Sequence, residues 1–147
     1  MTDRKRERIE AEDRGWAELR TLVDPLTPAN LTRDGYYEGW SVKDLLAHLG
    51  CWMAEAATVL EQIRLGTFAG WDGDVDGRNA RWYETWRNLE LRTVWAELHS
   101  ARARMMEEWD RLPTVTEAAD EWFRESGEEH YAEHVPRLRQ WVGELTG

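Results

Sequence analysis

The sequence has one cysteine, no long apolar run and few basic residues, and each scarcity excludes a class of protein. A lone thiol, Cys51, cannot form a disulfide within the 147-residue chain, which argues against a disulfide-stapled secreted fold and favours the cytoplasm. No segment approaches the ~18 apolar residues of a membrane helix, so we expect no membrane span. Nineteen basic residues face 29 acidic ones, and because the formal net charge of −10 repels phosphate backbones, we expect no nucleic-acid partner.

Apolar residues recur along the chain at the spacing of amphipathic helices, and no segment alternates as a strand does. The second helix begins at Ser41–Asp44, where the serine and the aspartate match a capping box. Residues 27–40 are expected to form a loop, and a helix can restart at Ser126–Gly127 within the last helical region. The predicted helices end at about Val23, Gly66, Pro113 and Leu145. Four helices with short or moderate connections predict an all-α four-helix bundle in a single domain, residues 1–147.

Three of the four histidines lie at the borders of predicted apolar helix faces. His130 and His134 are four residues apart, so both point from one helix face and can share one ion. His48 lies at the border of the apolar face of the second helix. Three neutral imidazoles suit Zn²⁺ or Ni²⁺ and leave one coordination position open for water or substrate, although they can also be ordinary polar residues at helix interfaces. His99 projects away from the apolar face of the third helix, and we expect it to be an exposed bystander.

Two segments that contain these histidines resemble a known group of proteins. Gly39–Leu49, with the sequence GWSVKDLLAHL, and His130–Trp141, with the sequence HYAEHVPRLRQW, resemble the DinB-like superfamily, and most closely its ClbS/DfsB-type four-helix-bundle proteins. The resemblance spans nearly the whole chain. It implies an up-down-down-up bundle, a homodimer, and a divalent ion, zinc or nickel, bound by His48, His130 and His134.

The same resemblance bears on activity. Related proteins include thiol S-transferases that use mycothiol or bacillithiol, maleylpyruvate isomerases, and a hydrolase that opens a cyclopropane warhead. The resemblance therefore implies a metal-dependent hydrolase or thiol transferase that acts on a small electrophilic molecule, with a low-molecular-weight thiol as a candidate cofactor. The competing hypotheses are a non-catalytic bundle that uses the ion to bind a ligand or to stabilise itself, and a metal-free interaction scaffold.

Other residues near the histidines have a functional and a structural interpretation. Glu133 lies between two candidate ligands and can be a general base, a fourth ligand or a solvated surface charge. Cys51 can be a soft ligand or a small buried hydrophobe. Tryptophan supplies most of the aromatic bulk, with ten residues against two phenylalanines, and large aromatics at helical spacing either line a cavity or fill the core. The candidate pocket residues are Trp40, Trp52, Asn79, Trp82, Tyr83 and Trp86.

The segment Asp72–Gly77 copies the start of an EF-hand calcium loop, including the glycine at the sixth position. The twelfth position requires a bidentate glutamate but is Tyr83 here, so most of the calcium affinity is lost. We therefore predict a crossover loop that binds no calcium and whose Asp76 caps the third helix.

Overall fold

A computed structural model describes residues 2–147, and the regular structure in this range consists of seven helices. They are α1 (Asp3–Val23), α2 (Pro28–Leu31), α3 (Val42–Leu65), α4 (Val75–Trp86), α5 (Leu91–Arg111), α6 (Glu117–Ser126) and α7 (Glu128–Thr146). One isolated bridge joins Tyr37 to Trp40, and residues 2–147 contain no strand. The predicted all-α class is confirmed.

Local signals start and stop α3, and separate α6 from α7, where the sequence predicts. The Ser41 hydroxyl accepts from the backbone N–H of Asp44, and the Asp44 carboxylate accepts from the backbone N–H of Ser41 at 2.9 Å, which completes the capping box of α3. Gly66 ends this helix in the left-handed region with φ 75°, a conformation that favours glycine. Gly127 separates α6 from α7, so the predicted restart of the helix is also correct.

The predicted third helix is wrong in its extent, because the structure has two helices there, α4 and α5, with an interruption between them. Glu90 adopts an extended backbone and interrupts the helical hydrogen bonds. The Lys43 ammonium of α3 donates to the freed carbonyls of Arg87 at 3.3 Å and Leu89 at 2.7 Å. A residue 46 positions away in the sequence therefore stabilises the break, and no local signal reveals that interaction.

Two smaller expectations also need correction. Asp74, and not Asp76, caps the helix that follows the glycine-rich segment, since its carboxylate accepts from the backbone N–H of Gly77 at 3.1 Å. The segment 27–40 is not entirely a loop, because Thr27 caps the short α2 and Pro28 occupies its first turn.

Residue pairs between the helices define the direction of each long helix. Gly50 lies beside Leu98, and Arg64 pairs with Glu108 at 3.0 Å, so α3 and α5 run parallel. Helix α1 runs parallel to α7 and antiparallel to α5. The pairs that show this are Arg8–Glu128 and Glu18–Arg139 for α7, and Lys5–Leu112 and Glu12–Arg102 for α5. The topology is therefore up-down-down-up.

Helix α3 is the centre of the bundle. Its sequence is apolar on nearly all sides, and it packs against α4, α5 and α6. A Cβ atom on Gly50 would lie 3.3 Å from the Cα atom of Leu98, so the absence of a side chain lets α3 and α5 approach closely. None of the helices described in residues 2–147 combines the length and the apolar character that crossing a bilayer requires.

Candidate metal centre

The bundle brings His48 of α3 together with His130 and His134 of α7. The Nε2 atoms of His48 and His130 are 2.9 Å apart. Each of the three side chains offers one ring nitrogen such that all three atoms lie within 4.8 Å of one another. The spacing of four residues places the rings of His130 and His134 with their centroids 4.9 Å apart. Among the described residues, no further His, Cys, Asp or Glu joins this group.

Burial keeps the three histidines uncharged. His48 and His130 are 7% and 8% exposed, and burial together with the neighbouring His134 lowers the pKa of His48 to about 3. Burial also holds the pKa of His130 well below its ordinary value, with His48 and His134 adding to the effect. The pKa of His134 is lowered by burial, against the opposing charge of Glu133. Since only a neutral imidazole has a lone pair for a metal ion, all three are in the ligand form near neutral pH.

The hydrogen bonds of these rings are incomplete in a way that fits a bound ion. The Tyr36 hydroxyl lies 3.0 Å from Nδ1 of His134, while the buried Nε2 atom of His134 has no partner among the described residues. The facing Nε2 atoms of His48 and His130 can share one proton, but the buried Nδ1 atom of each ring has no partner among the described residues. A buried polar atom without a partner costs about 1–3 kcal/mol, and three nitrogen ligands suit Zn²⁺ or Ni²⁺. The residues therefore fit a divalent ion.

Two clefts give access to the histidines, and both are lined in part by His48, Asn79 and Glu133. The larger, of about 580 Å³, is called here the tyrosine cleft; it is lined by Tyr36, Tyr37, Trp40, His134 and Arg137 among others. The smaller, of about 300 Å³, is called the tryptophan cleft; it is lined by Trp52, Trp71, Trp122, Glu125 and His130 among others. An ion held by the three histidines would be reachable from these clefts by water or by a small molecule.

The predicted pocket residues separate into lining residues and packing residues. Trp40, Trp52 and Asn79 line the clefts, and Trp40 also meets the ring of His48 edge-on at 5.3 Å. The other three support these rings. They are Trp82, which meets Trp52 at 4.9 Å, Tyr83, which stacks on Trp40 at 5.9 Å, and Trp86, which meets both Trp40 and His48 edge-on.

Three further candidates are placed by the structure as follows. Glu133 is exposed and lines both clefts beside the ligands. Cys51 lies in a separate groove between α3 and α5, where burial and Glu97 raise its pKa to about 12. His99 is exposed on α5 and lies between the rings of Trp16 and Trp95, at centroid distances of 5.5 Å and 5.6 Å.

Sequence reasoning missed several residues that shape the clefts. Arg137 follows His134 by three positions, a spacing that would have placed it on the same face of α7. Its guanidinium donates to the carbonyl of Tyr36 at 2.6 Å and to that of Gly35 at 2.9 Å, and so fastens the 35–40 segment to α7. Tyr36 and Trp71 lie outside the long helices, where no periodicity marks them, and Trp122 comes from the short α6.

The up-down-down-up bundle, with histidines on α3 and α7, agrees with the DinB-like resemblance of the sequence. The chain belongs to the DinB-like family described as the mycothiol maleylpyruvate isomerase N-terminal domain, whose model matches residues 13–144. Its structure is similar to the crystal structure of an uncharacterised protein from Escherichia coli UTI89, with 18% sequence identity, a TM-score of 0.78, and coverage of 97% of this chain and 94% of the other. At this identity the likeness shows the fold alone. No curated protein matches the sequence.

Proposed function

We propose that the protein is a metal-dependent enzyme that adds a low-molecular-weight thiol, or water, to a small electrophilic molecule. The observation that carries the proposal is the group of three buried, neutral histidines whose ring nitrogens lie within 4.8 Å of one another beside two clefts. His48, His130 and His134 would hold Zn²⁺ or Ni²⁺. An ion there would lower the pKa of a water or thiol at its remaining position and polarise an electrophile.

The side chains around the histidines have distinct roles in this proposal. Glu133 lines both clefts and accepts the proton of the nucleophile. Tyr36 holds His134 through the 3.0 Å contact to Nδ1, which leaves Nε2 of the same ring for the ion. Arg137 holds the backbone of Tyr36 at the wall of the tyrosine cleft, so that the tyrosine stays beside His134.

The thiol is supplied from outside the chain. Cys51 is a poor nucleophile, because a pKa of about 12 leaves almost no thiolate near pH 7 and because the residue lies in a different groove. The description of the matched family names mycothiol, which supports a free thiol as the co-substrate. We place the reaction in the cytoplasm, where such thiols are kept reduced, with a small molecule as substrate and neither nucleic acid nor membrane as partner.

Metal analysis and turnover test this proposal together. Untagged protein is analysed for bound zinc and nickel and is then incubated with mycothiol or bacillithiol and a panel of small electrophiles, while free thiol is followed. We expect one ion per chain and loss of thiol that requires the ion. Binding of the ion without consumption of thiol, and without hydrolysis of the electrophiles, would favour sequestration of a ligand. Absence of any specifically bound ion would refute the metal centre.

A further inference from the structure

Three indole rings meet in the tryptophan cleft, directly beside His48 and His130. Trp52 comes from α3, Trp71 from the segment between α3 and α4, and Trp122 from α6. The ring of Trp71 lies 5.7 Å from the ring of Trp52 and 5.7 Å from the ring of Trp122, measured between centroids. Three separate parts of the chain therefore supply the three aromatic walls of one cavity.

Hydrogen bonds hold two of these rings in place before any ligand arrives. The indole N–H of Trp52 donates to Oδ1 of Asn79 at 2.7 Å, and that of Trp71 donates to Oε1 of Glu55 at 3.2 Å. Arg78 pairs with the other oxygen of Glu55 at 2.9 Å, and its guanidinium lies 5.4 Å from the ring centroid of Trp71. Because the polar edges of Trp52 and Trp71 are already bonded, the aromatic surfaces of these two rings that Arg78 does not cover remain for a ligand. The arrangement is preorganised.

The charge of the cleft has one sign. Glu125 and Glu133 line it, and none of the described residues that line it is a lysine or an arginine. Partial burial raises the pKa of Glu125, and the neighbouring Glu121 and Glu129 raise it further, which reflects a negative potential at this wall. The nearby cations are neutralised, since Arg78 pairs with Glu55 and Arg124 pairs with Glu129 at 2.8 Å.

We propose that the tryptophan cleft binds the ammonium group of an organic cation, held between the rings of Trp52, Trp71 and Trp122 and opposite the carboxylates of Glu125 and Glu133. The faces of aromatic rings attract cations through the ring quadrupole. Quaternary ammonium groups are recognised by aromatic cages in this way, because water binds them weakly and little free energy is spent in removing it. The inference rests on the proposed function in one respect: if the protein is the proposed enzyme, the bound cation is its substrate or a part of its substrate. Its cationic group lies in this cleft and its reactive part beside the histidines.

A matched pair of probes tests the role of charge. Choline carries a trimethylammonium group, and 3,3-dimethylbutan-1-ol has the same shape with a neutral carbon in place of the nitrogen. Binding of both is measured by calorimetry and by the indole N–H signals in NMR spectra, with EDTA-treated protein so that no metal contributes. We expect choline to bind about tenfold more tightly than the neutral alcohol and to shift indole signals.

Variants locate the binding. Trp122→Leu and Glu125→Gln should each weaken choline binding by about three- to tenfold, and neither position is fully buried, so both proteins should fold. The matched controls are Trp95→Leu, beside His99, and Glu18→Gln, on α1, which should bind choline as the parent does. Circular dichroism melting of all four verifies the fold.

Each contrary result has a defined meaning. Equal affinity for the two probes, no binding of either, or choline binding unchanged in Trp122→Leu and Glu125→Gln would each overturn the ammonium site. None of these outcomes bears on the metal, because EDTA is present throughout. Conversely, a protein that binds choline as expected but no divalent ion would refute the proposed function and leave the ammonium site in place.

Discussion

Replacing a single histidine of the metal centre should remove most of the stabilisation of the fold by Zn²⁺ or Ni²⁺. An ion that binds only the native bundle stabilises it by about 2.7 kcal/mol when the free ion is a hundredfold above its dissociation constant. For a chain of this size each kcal/mol is worth roughly 2–4 °C, so we expect the ion to raise the melting temperature of the parent protein by about 5–11 °C.

The structure determines which variants should lose this rise. His48→Ala, His130→Ala and His134→Ala each remove one of three nitrogen atoms that lie within 4.8 Å of one another, so each should lose most of the metal-dependent shift. His99→Ala is the matched control, because this ring lies between Trp16 and Trp95 and outside the group.

Differential scanning fluorimetry with and without the ion measures the effect, and only the metal-induced difference is compared. The metal-free variants need not be equally stable, since truncation of His48 or His130 also removes buried packing and relieves an unpartnered Nδ1 atom. The reasoning is refuted if His99→Ala loses the shift while His48→Ala retains it.

Four further predictions concern the rest of the molecule. Burial raises the pKa of Glu12 from an ordinary 4.5 to about 7, so the folded state holds the carboxyl proton more tightly than the unfolded state does. The stability that this protonation contributes is therefore complete below about pH 4.5 and is lost as the pH rises through 7. Denaturant titrations of EDTA-treated protein should therefore show that the free energy of unfolding of Glu12→Gln, relative to that of the parent, rises by on the order of 3 kcal/mol between pH 4.5 and pH 8. A difference that does not change with pH would contradict the raised pKa. Gly50→Ala should cost about 1–3 kcal/mol in free energy of unfolding, because its Cβ would press on Leu98, whereas Gly143→Ala, which meets no atom within 4 Å, should stabilise α7 by about 0.5–1 kcal/mol. Millimolar Ca²⁺ should leave the melting temperature unchanged, and a saturable rise would restore a calcium loop at Asp72–Gly77. Sedimentation at micromolar concentration should give twice the 17.3 kDa of one chain, and a clean monomer would exclude the homodimer.

The limits of most long helices, and the pairing of two histidines on one helix face, are determined by residues close together in the sequence. Ser41 and Asp44 cap each other within one turn, and Gly66 ends the same helix through its own backbone freedom, so both signals can be interpreted without a fold. His130 and His134 share a face because an α-helix has 3.6 residues per turn. These features need only local hydrogen bonds and helix geometry, and the family resemblance added the expectation that His48 joins them.

Only the tertiary structure decided which groups meet across the bundle. The facing of His48 with His130 requires that α3 and α7 pack in one register. The carbonyls at the break before Glu90 are bound by Lys43, which lies far away in the sequence. The tryptophan cleft combines rings from α3, α6 and a connecting segment, so no periodic pattern along the chain marks it as a unit. Burial likewise lowers the histidine pKa values, because the cost of a charge depends on the surrounding atoms, and these are supplied by other helices.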